Sequence, residues 1–281
     1  MTRRCTSVAD GTRCEGAGGF TLVELLVAIV IAAVLMAAVY QVMVSNQRVS
    51  SVQREQVRSQ QTVRAGLTVL AQELREVSAA GGDLLVIEPT RVGFRAFRGY
   101  GIVCDVGSIS SRSVTVAPLG RDFQSEDGLY VFADGNSGIE ADDQWLLTAV
   151  SSAQADHTCG SGDSELTAQL IALGGLSDAQ FAAIQGGAAV RAWEAVEYGL
   201  QEFEDGWYLV RDLEGETARL VGPLAGGDGL ELEYLAVDGS SASDPGDVAR
   251  VRITLRTDPP ARDEWGHTVG DTLTTAVYLR N

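Results

Sequence analysis

The feature that most constrains this chain is an apolar run near its start, GGFTLVELLVAIVIAAVLMAAVY. It covers residues 18–40 and contains a single acid, Glu24. A helix over residues 20–40 would be about 30 Å long at roughly 1.5 Å per residue, which matches the hydrocarbon core of a bilayer. The run therefore predicts a membrane-spanning helix over residues 20–41. The alternative is the buried core helix of a soluble protein, but such a helix rarely stays apolar on every face over about six turns.

The segment that precedes the run, residues 1–19, is weakly basic. It has three arginines (Arg3, Arg4 and Arg13) against two acids, Asp10 and Glu15. Basic flanks of a membrane helix stay in the cytoplasm. We therefore expect a single-pass protein with a cytoplasmic amino terminus, so that the residues after the run face outward.

The start of the run carries a specific motif, Gly19-Phe20-Thr21-Leu22-Val23-Glu24. Followed by an uninterrupted apolar helix, this motif resembles the processing site of type IV prepilins and type II secretion pseudopilins. In that family a membrane peptidase cuts after the glycine and methylates the new amino terminus. The resemblance implies that residues 1–19 are a cleaved leader, that the cut falls between Gly19 and Phe20, and that Phe20 becomes N-methylated.

The single acid of the run, Glu24, also has a meaning in that family. A lone carboxylate in hydrocarbon costs about 2–3 kcal/mol on insertion scales, so an intramembrane acid usually faces a partner charge. The resemblance implies that Glu24 pairs with the amino terminus of a neighbouring subunit in a helical filament, which neutralises both groups. The alternative is an acid that reaches back to the cytoplasmic membrane interface.

Beyond Tyr40 the helical pattern continues without Gly or Pro until Gly66. Apolar residues at spacings of three and four form a stripe on one face, and Gly81-Gly82 is a typical helix end. We therefore predict an amphipathic extension over residues 42–81 whose apolar face packs on a sheet. The stripe consists of Val63, Leu67, Leu70, Leu74 and Val77.

Downstream the hydrophobic period changes to two, which is typical of strands. The segment LSDAQFAAI is the exception and predicts a short helix capped by Ser177 or Asp178. The predicted fold is α+β and pilin-like: one long N-terminal helix packed on the antiparallel sheet of a head domain over residues 82–281. The predicted strands are LLVIE, RVGFRAF, SVTVAPL, LYVFA, WLLTAV, AVRAWEAVEY, GWYLVRD, LELEYLAV, VARVRITLRT and LTTAVYLRN.

The last third of the chain carries a second resemblance. The segments EYGLQEFEDGWYLVRDLEG, GLELEYLAVDG, VARVRITLRT and TLTTAVYLRN resemble the carboxyl half of PilW-type minor pilins and the related J-type pseudopilins. The resemblance implies a periplasmic head on an inner-membrane helix, and a subunit that primes assembly at or near the filament tip. The implied partners are the prepilin peptidase, other minor pilins or pseudopilins, the major subunit and the inner-membrane assembly platform.

Two alternatives to a minor type IV pilin stay open at this stage. One is a minor pseudopilin of a type II secretion system, which shares the N-terminal motif. The other is a tip adhesin, whose binding region would lie between Asp105 and Gly187. The formal charge of −17 would repel nucleic-acid phosphates, so no direct nucleic-acid binding is expected.

The four cysteines divide between the leader and the mature chain. Cys5 and Cys14 would be lost with the leader, which leaves Cys104 and Cys159. In an oxidising periplasm two such thiols predict a disulfide, which would stabilise the fold by up to about 4 kcal/mol for a loop of about 55 residues. The alternative is two separate buried thiols.

We do not expect an enzyme. His157 lies close to Cys159 in an apparent loop, but the acidic surroundings would raise rather than lower the pKa of the thiol, and no residue that would orient the histidine is evident. The sequence also lacks a phosphate-binding loop, a dinucleotide fingerprint, a zinc-protease helix and a serine elbow.

No organic cofactor is expected, but one acidic loop has the composition of a calcium site. The segment ADGNSGIEADDQ brings hard oxygen ligands together with glycines that permit a tight turn. Its spacing is not that of an EF-hand, and the alternative is a set of solvated turns. The candidate ligands are Asp134, Asn136, Glu140, Asp142 and Asp143.

Overall fold

The fold is seen in a computed structural model that describes residues 20–135, 138–160, 166–213, 215–258 and 270–280. The chain divides into two compact units, residues 1–55 and 56–281. A long helix, α1 (Leu22–Leu74), begins in the first unit and ends in the second. Antiparallel sheets follow it, which confirms the predicted α+β, pilin-like class.

Within the second unit, α1 buries the predicted stripe. Val63, Leu70 and Leu74 are fully buried, and Leu67 is 7% exposed. The helix ends at Leu74, however, several residues before the predicted end at residue 81. The last turn tightens because the N–H group of Val77 donates to the carbonyl of Leu74, after which the chain turns to place the Val77 side chain in the core.

Twelve strands are present among the described residues. All ten predicted segments are strands, and two further strands, β6 and β9, were not predicted. The strands are β1 (Leu84–Glu88), β2 (Arg91–Val106), β3 (Ser113–Leu119), β4 (Gly128–Ala133), β5 (Gln144–Cys159), β6 (Leu166–Gly174), β7 (Ala189–Phe203), β8 (Gly206–Leu213), β9 (Glu216–Leu224), β10 (Leu230–Leu235), β11 (Arg250–Arg256) and β12 (Thr272–Tyr278).

Six of these strands close into an antiparallel barrel. Neighbouring strands pair in the order β2-β3-β6-β5-β4-β7, and β7 pairs again with β2, so the ring has no open side. Apolar side chains such as Val103, Val131, Ile171 and Val190 fill the interior and are fully buried. Since each strand alternates inward and outward positions, their neighbours in sequence lie on the outer surface.

A second core lies between α1 and two sheets. The first half of β2 and the second half of β7 extend beyond the barrel and pair with β1 and β8, while β10, β11 and β12 form a separate antiparallel sheet. Leu70 of α1 belongs to the same buried cluster as Phe94, Leu209 and Ile253. Strands β2 and β7 therefore contribute to both cores.

A half-buried charge cluster connects α1 to these strands. Arg98 on β2 donates to Glu73 of α1 at 3.2 Å and to Glu194 of β7 at 3.0 Å. Arg121 donates to Glu194 at 3.1 Å and to Asp127 at 2.9 Å. Burial alone would lower the pKa of Arg98, but the charge of Glu73 and the hydrogen bonds to both glutamates raise it, so the cation is retained.

The short helix α2 (Asp178–Ala182) forms as predicted, with Ser177 as its N-cap. The Ser177 hydroxyl accepts from the N–H of Gln180, and the Gln180 side chain accepts from the N–H of Ser177 at 2.9 Å. This is a reciprocal capping box. It positions Phe181, which is 1% exposed, in the barrel core.

The predicted disulfide between Cys104 and Cys159 is also present, with a Cα–Cα distance of 5.7 Å. It joins β2 to the end of β5, two strands that are not neighbours in the barrel. Ala117 of β3 and Ala168 of β6 pack against the two cysteines. The bond therefore fastens one end of the barrel across four strands.

We expect removal of this bond to destabilise the head. The double variant Cys104→Ala/Cys159→Ala should lower the free energy of unfolding by up to about 4 kcal/mol, because the unfolded chain regains the entropy of a long open loop. Urea denaturation of the oxidised, reduced and double-variant proteins measures the difference. Alkylation of either cysteine in the folded protein without reductant would contradict the bond.

Candidate functional site

The N-terminal motif lies at the start of α1. Helix α1 begins at Leu22, and Glu24 lies in its first turn. The Thr21 hydroxyl accepts from the N–H of Glu24 at 3.3 Å, and the Thr21 carbonyl accepts from the N–H of Leu25 at 3.2 Å. Thr21 thus caps the helix, a role that our sequence reasoning missed, although Thr followed three residues later by Glu is a known capping pattern. Gly19 lies outside the described residues.

The apolar half of α1 has no apolar partner within its own unit. Leu22, Met36 and Tyr40 are 81%, 73% and 68% exposed. Within the described part of the chain, α1 is the one helix that is long and apolar enough to cross a membrane. An apolar surface on every face of a helix requires lipid or packed neighbouring helices around it.

The carboxylate of Glu24 is exposed on this surface. Among the described residues it has no ion-pair or hydrogen-bond partner for its side chain. Its place in the first turn is favourable, because the unpaired N–H groups of a helix start attract negative charge. In hydrocarbon, the acid would still need a counter-charge from outside its own helix.

The acidic loop brings three of the five predicted calcium ligands together. Carboxylate oxygens of Asp134, Asp142 and Asp143 all lie within 4.8 Å of one another. Asp134 also has a buried oxygen, Oδ1, without a hydrogen-bond partner. Glu140 begins a short 3₁₀ turn that ends at Asp142, and the predicted ligand Asn136 lies outside the described residues.

One expectation about His157 needs correction. The residue does not lie in a loop but on strand β5, where it pairs with Ala168 of β6. The nearby sulfur of Cys159 is bonded to Cys104 and is therefore not a thiol nucleophile. A register shift between Gln154 and His157 interrupts the regular alternation of β5, which explains why this part of the strand resembled a loop.

Comparison with known proteins gives one match. A family model for the prokaryotic N-terminal methylation motif matches residues 16–40. No curated protein and no solved structure matches the chain. The matched segment contains the predicted cut between Gly19 and Phe20, the acid Glu24 and the exposed apolar half of α1. The chain thus carries the N-terminal methylation signature of the type IV prepilins and pseudopilins.

Proposed function

We propose that the chain is a minor type IV pilin, a structural subunit that primes assembly at or near the filament tip. The single observation that carries the proposal is the methylation motif, which leads directly into an exposed apolar helix with one acid in its first turn. In this proposal the amino terminus is cytoplasmic, α1 crosses the inner membrane, and the head is periplasmic before assembly.

Processing acts as a switch on this helix. Before the cut, the weakly basic leader holds the amino terminus at the cytoplasmic face of the membrane. The cut after Gly19 creates a new amine on Phe20. In a filament core of low dielectric, that amine and Glu24 of an adjacent subunit neutralise each other, which sets how far one subunit lies above the next.

The assignment to the minor class is supported by the head. The segments that resemble PilW-type pilins form the hairpin of β7 and β8 and the sheet of β10, β11 and β12. These elements share a core with α1 residues such as Leu70. The proposed partners are the prepilin peptidase, other minor pilins, the major subunit and the assembly platform. A minor pseudopilin of a type II secretion system is the second candidate, because it carries the same motif.

We also propose that the acidic loop binds Ca²⁺. The close approach of Asp134, Asp142 and Asp143 supports this proposal, since carboxylate oxygens are the hard ligands that Ca²⁺ prefers, and Oδ1 of Asp134 is buried without a hydrogen-bond partner. Gly135 permits the approach, because a Cβ at this position would lie 2.8 Å from a carboxylate oxygen of Asp142. The ion would brace the connection between β4 and β5.

The first test concerns processing. Gly19→Ala should slow cleavage and Gly19→Leu should block it, because the peptidase needs a small residue before the cut. Intact-mass measurement of membrane extracts reports the mature mass. The matched control Gly11→Leu, in the same leader but away from the cut, should be processed normally. A mature chain that begins anywhere other than Phe20 would contradict the assignment.

The second test concerns assembly. Glu24→Ala should leave membrane insertion and cleavage intact but weaken incorporation into the filament, because an unpaired buried amine costs about 3–5 kcal/mol. Glu24→Gln keeps a hydrogen-bond acceptor without the charge, so its incorporation into the filament should fall between that of the wild-type protein and that of Glu24→Ala. Recovery of partner subunits from detergent extract, together with counts of surface filaments, measures the effect.

The matched control is Glu55→Ala, which removes an exposed acid from the same helix beyond the apolar run. It should assemble at the normal level. Normal partner recovery and filament numbers for Glu24→Ala at wild-type abundance of cleaved protein would show that the proposed charge pair does not form.

The third test concerns the ion. Ca²⁺ at about 100 times its dissociation constant should stabilise the head by roughly 2.7 kcal/mol, and a chelator should reverse this. Asp142→Asn should abolish the response, whereas the matched control Asp228→Asn, outside the cluster, should keep it. If the Tm of the unmodified protein is the same with Ca²⁺ and with chelator, the proposal that the loop binds Ca²⁺ is wrong.

A further inference from the structure

The outer surface of the barrel carries an arginine enclosed by aromatic rings. The guanidinium carbon of Arg191 on β7 lies 5.3 Å from the ring centre of Phe97, 5.8 Å from that of Tyr100 and 5.7 Å from that of Trp145. Trp145 and Tyr100 remain 45% and 42% exposed. Rings on two different strands therefore hold this cation at a fixed place on a rigid surface.

This arginine has no anionic partner in the part of the chain that the structure describes. Among the described residues, Arg191 makes no ion pair and no hydrogen bond through its guanidinium, and its Nε is buried without an acceptor. Most arginines of the head contrast with it, as Arg98 and Arg121 each contact two carboxylates. The three rings offset part of the hydration that this cation loses, but no carboxylate among the described residues neutralises its charge, so an anion at its open end would bind favourably.

The arginine faces a small cavity of about 210 Å³. This volume is below the range of about 300–1,000 Å³ that is usual for drug-sized ligands, so the cavity suits one ring rather than an extended chain. Trp145 offers an exposed ring as a wall, and Arg280 adds a second cation. Ser78, Glu76 and Asp83 complete the polar part of the lining.

The two acids restrict what the cavity accepts. Asp83 accepts from the Tyr130 hydroxyl at 2.7 Å and from the N–H of Ser78 at 3.1 Å, which fixes its orientation. Burial and the neighbouring Asp83 raise the pKa of Tyr130 to about 12, so its hydroxyl keeps the proton that it donates. Glu76 is exposed at the rim. These carboxylates would repel a purely anionic ligand but would accept hydrogen bonds from hydroxyl groups.

We propose that this cavity binds an acidic sugar of the uronic-acid class. The ligand carboxylate lies on the guanidinium of Arg191, for which a planar two-point contact is the favoured geometry. The sugar ring packs against Trp145, and its hydroxyl groups donate to Glu76 and Asp83. An acidic peptide could also pair with the arginine, but the volume of about 210 Å³ and the exposed ring of Trp145 favour a single sugar ring over an extended peptide.

The test uses the full chain in detergent and titrates three probes by saturation-transfer difference NMR. Glucuronate should bind saturably, while glucose, which lacks the carboxylate, and acetate, which lacks the ring, should each bind at least tenfold more weakly. Equal binding of acetate or of glucose would overturn the sugar-acid assignment. Absence of saturable glucuronate binding would overturn it as well.

Variants locate the site. Arg191→Gln and Trp145→Leu should each weaken glucuronate binding at least tenfold, and Arg191→Lys should be intermediate because it keeps the charge but not the two-point contact. The matched control Arg112→Gln removes an exposed arginine elsewhere on the barrel, where it pairs with Asp178, and should bind normally. Unchanged binding by Arg191→Gln would overturn the proposal. If that variant fails to fold, Arg191→Lys and Trp145→Leu decide.

A further titration distinguishes a polysaccharide from a free sugar acid as the source of the ligand. An oligogalacturonate that binds more tightly than free galacturonate assigns the site to a polysaccharide, while equal affinity per site assigns it to a free sugar acid. Binding does not depend on cleavage at Gly19 or on filament formation. The result is therefore independent of the proposed role in assembly.

Discussion

The structure depends on one helix, α1, whose two halves have different surroundings. The first half of α1 exposes apolar side chains such as Leu22 and Met36 on every face, whereas Leu70 and Leu74 in the second half are fully buried by the head. The burial of the second half contributes to folding of the head, but nothing within its own unit covers the first half. Its free energy is lowered only by lipid or by other helices, so membrane insertion and assembly follow from the same exposed surface.

Attachment of the head to this helix combines apolar packing with charge. Glu194 accepts hydrogen bonds from Arg98 and Arg121, and Arg98 also reaches Glu73 on α1. Such half-buried pairs add little net stability, because desolvation offsets much of their attraction. They do impose geometry, however, since a slip of α1 along the sheet would separate Glu73 from Arg98 and leave a buried charge unpaired. The apolar stripe supplies the stability and the charges define the register.

The sequence predicts most individual strands and helices well, but it does not predict that six of the strands close into a barrel. The motif around Gly19 and Glu24 and the alternating strands depend on local pattern, and the capped helix α2 is encoded within a few residues. Strand β6 was missed because two adjacent residues, Ala168 and Gln169, are both buried, which breaks the alternation expected of a strand. The buried Gln169 side chain accepts a hydrogen bond from the backbone N–H of Phe123 and donates one to its carbonyl. The barrel was not predictable, since alternation indicates which face of a strand is buried but not which distant strand it pairs with. The enclosed Arg191 likewise depends on three strands that are remote in sequence.

The sharing of β2 and β7 between two cores makes the barrel an insertion rather than a separate domain. The two strands pair directly from Arg91↔Gly199 to Ile102↔Ala189, which is already a long antiparallel ladder. Residues 107–188 leave this ladder and return to it, and they contribute the other four barrel strands. Strands β2 and β7 thus pair like the two arms of a β-hairpin, and the connection between them forms the rest of the barrel. A change in the length or outer surface of this segment would therefore leave intact the strand pairing that packs on α1, because that pairing uses none of its strands.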